Sequence, residues 1–309
     1  MLEIKKYDAS KKQVWNQFVT NAKNGHFLFY RDYMEYHKER FEDASLMIYE
    51  GQNVLAIIAA TQREKEFITH GGLTFGGLLL SKNIKTIEIL QIFTLIISYL
   101  RENGFTSFIY KAIPHIYHIL PAEEDLYSLF TNNAQLIARN VSATIAIDKR
   151  LPYSKGRKWS VKKSYNNELS VIQSVDFDAF FKLEEQLLKE KYNTSPVHTA
   201  QEMRQLGLAF PENIKLFICE NNGTIVAGVL LYISTQVTHC QYVGSNELGR
   251  KLGAVDLIID TLLSSCTTAY FDFGTSNLED GHYLETSLLQ NKESYGARAI
   301  CYDKYKITL

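Results

Sequence analysis

Residues 216–228 read LFICENNGTIVAG, which is an apolar run, a short polar turn and a second apolar run. The Asn222-Gly223 pair supplies the positive φ angles that a tight hairpin turn requires, so this stretch predicts a β-hairpin. Residues 46–57, LMIYEGQNVLAI, repeat the pattern in the first half of the chain. Such a long-range echo indicates tandem copies of one fold.

The elements after each hairpin also occur in the same order. In both halves a further strand (66–80; 237–243) precedes an amphipathic helix (87–101; 251–266) and an aromatic strand (106–110; 269–273). A strand-helix-strand crossover implies a parallel pair within an otherwise antiparallel sheet, and ligands gather at the carboxyl ends of such strands. We therefore expect an α/β (α+β) fold of two tandem domains, each a mixed, mostly antiparallel sheet flanked by helices.

The length of 309 residues suits two domains of about 150 residues each. A basic, turn-rich segment at 148–167 marks the boundary, which predicts domains 1–150 and 151–309. The N-terminus lacks the apolar core of a signal peptide, and polar residues interrupt the longest apolar stretch, 87–100. We expect a cytoplasmic protein with no membrane span.

Composition narrows the function classes further. A net charge of -1 gives no global field that would attract nucleic acid. The four cysteines form no Cys-x-x-Cys pair and the histidines have no metal-ligand spacing, so neither a disulfide framework nor a metal site is expected. Hydrolase and NTPase motifs are also missing from the sequence.

The segment 244–254 links a predicted strand to a predicted helix and is rich in small residues. Small residues let backbone N–H groups approach an anion, and the following helix directs its positive end at the same point. Arg250 and Lys251 add positive charge. The segment predicts either a diphosphate site or simply a turn shaped by its glycines. The equivalent link in the first half, 81–86, has no glycine, so we expect no cofactor there.

These features together resemble a known family. Arg250-Lys251-Leu252-Gly253, followed by Ala254, resembles the Arg/Gln-x-x-Gly-x-Gly/Ala loop that binds acyl-CoA in GNAT N-acetyltransferases. The whole chain is similar to the FemAB-like or BioF2-like acyltransferases of bacterial envelope-polysaccharide synthesis, in segments 196–199, 241–242, 271–276 and 291–298. The resemblance implies a catalytic C-terminal GNAT-like domain, and an N-terminal one that serves as scaffold or binds the acceptor.

Acyl transfer to an amine requires a base for the ammonium proton and an acid for the leaving thiolate. His239, on the strand before the loop, is a candidate base; otherwise it is a half-buried strand residue. Strand alternation places His239 on one face with Gln241 and Val243. Cys240 and Tyr242 then lie together on the other face.

Asp272 stands on a predicted central strand, where a carboxylate is costly without a partner. It has a raised pKa and acts as a base, or it pairs with Arg298 or Lys292. His198, at the start of a helix, is a candidate for catalysis or acceptor binding, or a neighbour of the helix cap. Tyr295 is a candidate general acid or a packing aromatic.

The resemblance also assigns binding residues. Those expected at the acyl-CoA are Tyr242, Val243, Gly249, Arg250, Lys251, Gly253 and Ala254. Those expected at the acceptor are His198, Gln241, Ser276, Glu279, Asp280 and Lys292.

Three functions remain open. The first is an N-acyltransferase that uses acetyl-CoA or another acyl-CoA as co-substrate, without a metal, on a small amine, amino sugar or nucleotide-sugar. The second is a FemX-like enzyme that uses aminoacyl-tRNA on a peptidoglycan precursor, which predicts a basic groove with Arg157, Lys158, Lys162 and Lys163. The third is a non-catalytic binding protein. The sequence does not specify an oligomeric state.

Overall fold

The chain folds into two compact units, as seen in a computed structural model that describes residues 1–192 and 194–309. The first unit comprises Met1–Asn140, Asn277–Tyr283 and Cys301–Leu309. The second comprises Val141–Ser276 and Leu284–Ile300. The units interleave along the chain, and the domain limits at residues 150 and 151 remain a prediction.

Short strands and helices alternate along the first part of the chain. In order they are β1 (Leu2–Lys6), α1 (Lys12–Asn21), α2 (Arg31–Met34), β2 (Glu42–Asp43), β3 (Leu46–Glu50), β4 (Asn53–Ile58), β5 (Thr61–Arg63), β6 (Glu66–Ile68), β7 (Leu78–Leu80), α3 (Thr86–Glu102), β8 (Ser107–Lys111), α4 (Glu124–Thr131) and β9 (Gln135–Ala146).

The later part of the chain has longer strands. In order its elements are α5 (Lys155–Ser164), β10 (Leu169–Ser174), α6 (Phe177–Tyr192), α7 (Ala200–Ala209), β11 (Ile214–Asn221), β12 (Thr224–Ile233), β13 (Val237–Ser245), α8 (Glu247–Leu252), α9 (Ala254–Ser264), β14 (Tyr270–Thr275), β15 (Asn277–Leu278), β16 (Tyr283–Leu284), α10 (Thr286–Glu293) and β17 (Arg298–Thr308).

The first unit contains an antiparallel sheet of order β1-β3-β4-β7 and a second run of neighbouring strands, β17-β8-β6-β5-β2. Within that run, β6 and β8 are parallel. Helix α3 buries one apolar face, including Ile92, Phe93 and Ile96, in the core of the unit. The helix predicted at 87–101 is therefore confirmed.

In the second unit the strands follow the order β10-β11-β12-β13-β14-β9. All neighbours are antiparallel except β13 and β14, which α9 connects. The predicted crossover with a parallel pair is thus confirmed. Helix α9 covers one face of the sheet. Helix α6 covers the other, because Gly228 of β12 contacts Phe180 while its neighbour Val229 lies in the α9 core.

A β-bulge interrupts β13. Consecutive residues of β12 pair with Cys240 and Tyr242, so Gln241 is the extra residue. Cys240 packs in the core under α9, whereas the Tyr242 ring contacts Phe181 of α6. The prediction that Cys240 and Tyr242 share a face was wrong, because the bulge shifts the alternation by one residue. His239 therefore shares a face with Tyr242.

The predicted single helix at 251–266 is also corrected. Gly253 has a φ of +77°, which ends α8 before α9 begins at Ala254. This left-handed conformation favours glycine, since other residues meet steric hindrance there. The Asn246 side chain caps α8 by accepting a hydrogen bond from the Gly249 N–H at 2.8 Å. Two short helices thus follow β13.

Candidate functional site

His239 and Asp272 form a hydrogen-bonded pair in the second unit. They face each other at the last residue pair of the parallel β13–β14 register. His239 Nδ1 lies 2.8 Å from Asp272 Oδ2. The Asp272 side chain is fully buried and also accepts hydrogen bonds from the hydroxyls of Ser142 and Thr144 on β9. Hydrogen-bond donors from two neighbouring strands therefore surround the carboxylate.

Burial by itself raises the pKa of Asp272. The hydrogen bond and the charge of His239, together with the two hydroxyl donors, outweigh burial and lower this pKa to about 2. Asp272 is therefore ionised at neutral pH, so the expected raised pKa was wrong, and a catalytic role for Asp272 stays a prediction. His239 is a hydrogen-bonded ionisable partner of Asp272, which the sequence did not suggest. Of the two expected partners, Lys292 interacts with the carboxylate through its charge.

An ionised Asp272 fixes the tautomer of His239. Because a carboxylate only accepts hydrogen bonds, Nδ1 carries the proton and Nε2 is the acceptor nitrogen of the neutral ring. Gly274 leaves room beside the ring: its φ is +78°, and a Cβ there would lie 3.3 Å from His239 Cε1. The pair is thus an oriented proton acceptor.

Lys292 of α10 lies at the carboxyl end of β14. Its Nζ donates hydrogen bonds to the carbonyls of Gly274 at 2.9 Å and Thr275 at 2.8 Å. Burial lowers the pKa of Lys292 to about 8, although the charge of Asp272 opposes this shift. A half-buried cation thus stands near the carboxylate of the pair.

His198 and Tyr242 form a second pair, on the α6 side of the sheet. The Tyr242 hydroxyl lies 2.8 Å from His198 Nδ1 and accepts a hydrogen bond from the His198 N–H. Burial raises the pKa of Tyr242 to about 12. Thr199 and Glu202 form a capping box at the start of α7, which holds the His198 backbone in place. A predicted acceptor residue and a predicted cofactor residue thus meet here.

A cleft of about 260 Å³ opens where β13 gives way to α8 and α9. Four of the predicted cofactor residues line it, namely Val243, Gly249, Arg250 and Gly253. Its other lining residues are Arg157, Leu187, Gly244, Ser245, Val255, Asp256, Asn291 and Tyr295. Ala254 is fully buried, and Lys251 pairs with Glu247 at 2.8 Å on the surface.

Two of the charged groups that line the cleft, Arg157 and Asp256, form an ion pair. Arg157 of α5 contacts Asp256 in the first turn of α9, and Asp256 also accepts hydrogen bonds from Ser160 and Tyr295. The guanidinium lies over the Tyr295 ring, with its carbon 3.9 Å from the ring centroid. Arg250 donates a 2.7 Å hydrogen bond to the Ser245 carbonyl. The cleft therefore presents two guanidinium groups and one carboxylate.

Tyr295 belongs to this buried network. Burial and the neighbouring Asp256 carboxylate raise the pKa of Tyr295 well above its usual value. The hydroxyl proton is engaged with Asp256, which weighs against donation to a leaving group. The role of Tyr295 as general acid remains a prediction.

The remaining predicted acceptor residues are dispersed. Gln241 is the bulge residue of β13, and Ser276 is buried at the end of β14. Glu279 and Asp280 belong to the first unit, where Asp280 pairs with Lys304 at 2.6 Å.

The sequence reasoning missed Glu184 of α6. Its side chain is 3% exposed, and burial raises its pKa to about 7. The available signal was its position within the apolar stripe of α6, since a carboxylate on a core-facing position needs an explanation.

Comparisons with known proteins agree on the fold. Residues 165–283 match the family model of the acetyltransferase (GNAT) domain. No curated protein sequence matches the chain. Among solved structures, FemX has a TM-score of 0.71 at 10% identity, and the match covers 99% of this chain and 97% of FemX.

Two further structures are similar to this chain along nearly its whole length. L-PGS from Bacillus licheniformis has a TM-score of 0.61 at 10% identity and covers 96% of this chain and 91% of its own. A tandem GNAT protein from the clavulanic acid biosynthesis pathway has a TM-score of 0.53 at 10% identity, with coverage of 100% and 98%. The predicted tandem GNAT-like fold is confirmed. No helix among residues 1–192 and 194–309 is both long enough and apolar enough to cross a bilayer.

Proposed function

We propose that this chain, a FemAB-like protein of the GNAT acyltransferases, transfers an acyl group from a carrier to an amine, with His239 as the proton acceptor. The His239–Asp272 pair carries the proposal, since it is an oriented imidazole backed by an ionised, fully buried carboxylate. Such a pair suits a reaction that must remove an ammonium proton near neutral pH.

In this mechanism the His239 Nε2 accepts the proton that the amine loses as its nitrogen attacks the acyl carbonyl. Asp272 stays ionised and stabilises the imidazolium that forms. The carbonyl oxygen gains negative charge in the transition state, and the Lys292 ammonium is the nearby cation. Collapse of the tetrahedral intermediate breaks the bond between the acyl carbon and the carrier. The leaving atom of the carrier takes the electron pair and receives the proton from the His239 imidazolium, and the other product is an amide.

The donor site we propose is the cleft at the end of β13. His239 and Val243 are four residues apart on this strand, about 13 Å when extended. A carrier with a flexible arm that lies along β13 would reach from the cleft to His239. Our first candidate is acyl-CoA, and acetyl-CoA in particular, with Arg157 and Arg250 near its diphosphate. The acceptor we propose is an amino sugar or a nucleotide-linked amino sugar.

The test is product detection by mass spectrometry with acetyl-CoA and a panel of amino sugars. We expect one acetyl group on an acceptor, and its loss in His239→Ala. Calorimetry should also show saturable acetyl-CoA binding that Arg250→Glu weakens, because a carboxylate would replace a guanidinium that lines the cleft. Absence of product from the unaltered protein with every acyl-CoA and amine tried, together with absence of binding, would refute this assignment.

A second candidate donor, aminoacyl-tRNA, is favoured by the outer face of α5. This helix has five basic residues and no acidic one. Arg157 points inward and pairs with Asp256, so it does not belong to the predicted basic groove. Lys158, Lys162 and Lys163 are exposed beside Trp159, whose side chain is 66% exposed. Exposed lysines around an aromatic ring suit phosphates and a stacked base.

Filter binding of uncharged tRNA over a range of salt concentrations tests this candidate. We expect Lys158→Ala/Lys162→Ala to weaken binding and to reduce the slope of log K against log salt by about two. The control variant, Lys38→Ala/Lys65→Ala, removes two exposed lysines of the first unit and should leave the slope unchanged. Equal slopes in the three proteins would exclude α5 as a tRNA surface.

A further inference from the structure

Glu184 occupies an unusual position between α6 and the sheet. Its carboxylate lies against Gly244 of β13, where a Cβ would overlap with Oε1. Gly228 lies directly opposite Gly244 on β12, and a Cβ there would overlap with the Phe180 ring. Two facing glycines therefore let α6 approach the sheet closely and bring the Glu184 carboxylate onto β13.

This carboxylate lies directly behind residues that line the cleft. Gly244 and Leu187 both line the cleft, and Leu187 lies one turn beyond Glu184 on α6. Among the described residues, Glu184 Oε1 has no hydrogen-bond partner. The titratable side chain facing it from β13 is Tyr242, which is neutral near pH 7 because its pKa is raised to about 12.

Buried carboxylates are normally paired, since leaving one without a donor costs stability. A purely structural role would be met at lower cost by glutamine or by an apolar residue of similar size. The missing partner is therefore expected to be a ligand that donates hydrogen bonds and carries positive charge. A primary ammonium has both properties and fits beside a glycine-lined strand.

We propose that Glu184 binds a primary ammonium group of a substrate that enters the cleft of the second unit. This inference rests on the proposed function for its biological meaning, because acyl transfer to an amine supplies such groups. Two substrates could carry the ammonium: the acceptor amine, or an aminoacyl donor through its α-ammonium. Glu184 is then a specificity residue that distinguishes an amine from a hydroxyl.

Binding of matched probes tests the proposal without turnover. NMR titrations at about pH 7.5, where most of Glu184 is ionised and most of an α-amino group is still protonated, would compare L-alaninamide with L-lactamide, and glucosamine with glucose. Each pair then differs mainly in an ammonium and a hydroxyl. The proteins are the full chain, Glu184→Gln, and the control Glu185→Gln, which makes the same change at the exposed neighbour on α6.

We expect at least one ammonium probe to bind about tenfold more tightly than its hydroxyl counterpart, as is typical of a charged hydrogen bond. Glu184→Gln should abolish the preference and Glu185→Gln should retain it. A preference for L-alaninamide assigns the ammonium to an aminoacyl donor, and one for glucosamine assigns it to the acceptor. No preference in the unaltered protein, or a preference that survives Glu184→Gln, would overturn the proposal.

If Glu184→Gln fails to fold, the unaltered protein still provides the test. Its preference for the ammonium probe should be larger at about pH 7.5 than at about pH 6, because protonation removes the negative charge of Glu184. A preference that is equal at both values would overturn the proposal. Because these titrations detect no product, an inactive protein would refute the acyltransferase assignment and leave this site untouched.

Discussion

His239 Nδ1 lies 2.8 Å from Asp272 Oδ2 where the parallel register of β13 and β14 ends. The two strands bring the side chains together, and the β9 hydroxyls complete the surroundings of the carboxylate. Because the backbone of three strands holds the pair, its geometry is set before any substrate arrives. Such preorganisation is what an oriented base requires.

The first prediction concerns activity. His239→Ala should lower kcat/KM for acyl transfer by about 10² to 10⁴, because the reaction loses its proton acceptor. Steady-state kinetics with the acceptor identified by mass spectrometry would measure this change. His115→Ala, which removes an exposed histidine of the first unit, is the control and should retain full activity. Full activity in His239→Ala would show that another residue is the proton acceptor.

The second prediction concerns stability and pH. The pKa of Asp272 is about 2 in the folded protein, below its ordinary value of 3.8, so its ionised form stabilises the fold. Asp272→Asn should lower the unfolding free energy by about 2 kcal/mol at pH 7. The difference between variant and unaltered protein should shrink as pH falls through 3.8 towards 2, where the carboxyl becomes protonated. Urea unfolding at several pH values measures it, and a pH-independent difference would argue against an ionised Asp272.

Local sequence signals predicted much of the fold. The Asn222-Gly223 turn joins β11 and β12 with φ values of 50° and 73°, as a tight hairpin requires. The crossover helix and the parallel pair also follow from the order of apolar segments. These features depend on residues that are close in sequence, so the sequence alone can specify them.

Other features depend on contacts between distant segments. The bulge at Gln241 is defined by its register with β12, and no turn residue marks it. The low pKa of Asp272 also depends on the Ser142 and Thr144 hydroxyls of β9, a strand that no sequence pattern places beside β14. The sequence marks Glu184 by its place in an apolar stripe, but only three-dimensional neighbours reveal that its Oε1 has no hydrogen-bond partner in the part of the chain that the structure describes.

The third prediction concerns the stability that the protein loses because the Glu184 carboxylate is buried. Its folded pKa of about 7 exceeds the ordinary 4.5, so stability is highest below 4.5 and falls as pH rises through 7. Glu184→Gln avoids this loss and should be more stable than the unaltered protein by about 3 kcal/mol at pH 8. The gain should vanish near pH 4. Glu185→Gln should show no such pH-dependent gain in the same urea unfolding measurements.

The fourth prediction separates two roles of Tyr295. Tyr295→Phe removes a hydroxyl that donates to Asp256 and accepts from Arg157 at 2.9 Å. We expect the unfolding free energy to fall by about 1 to 2 kcal/mol, with kcat reduced less than tenfold. Loss of a general acid would instead reduce kcat by about 10² or more and change the pH profile. That larger loss of kcat would support Tyr295 as the general acid.

The fifth prediction uses two glycines with opposite expectations. Gly253 has a φ of +77° and a Cβ there would lie 3.2 Å from the Ser164 Cβ, so Gly253→Ala adds both backbone strain and a close contact. We expect the unfolding free energy to fall by about 1 to 2 kcal/mol.

Gly156 lies in α5 with open space around its Cβ position. Gly156→Ala should therefore raise stability by about 0.5 to 1 kcal/mol, because alanine restricts the unfolded chain and favours the helix. Urea denaturation of both variants measures the two changes in unfolding free energy. An unchanged unfolding free energy in Gly253→Ala would mean that the break between α8 and α9 does not depend on glycine.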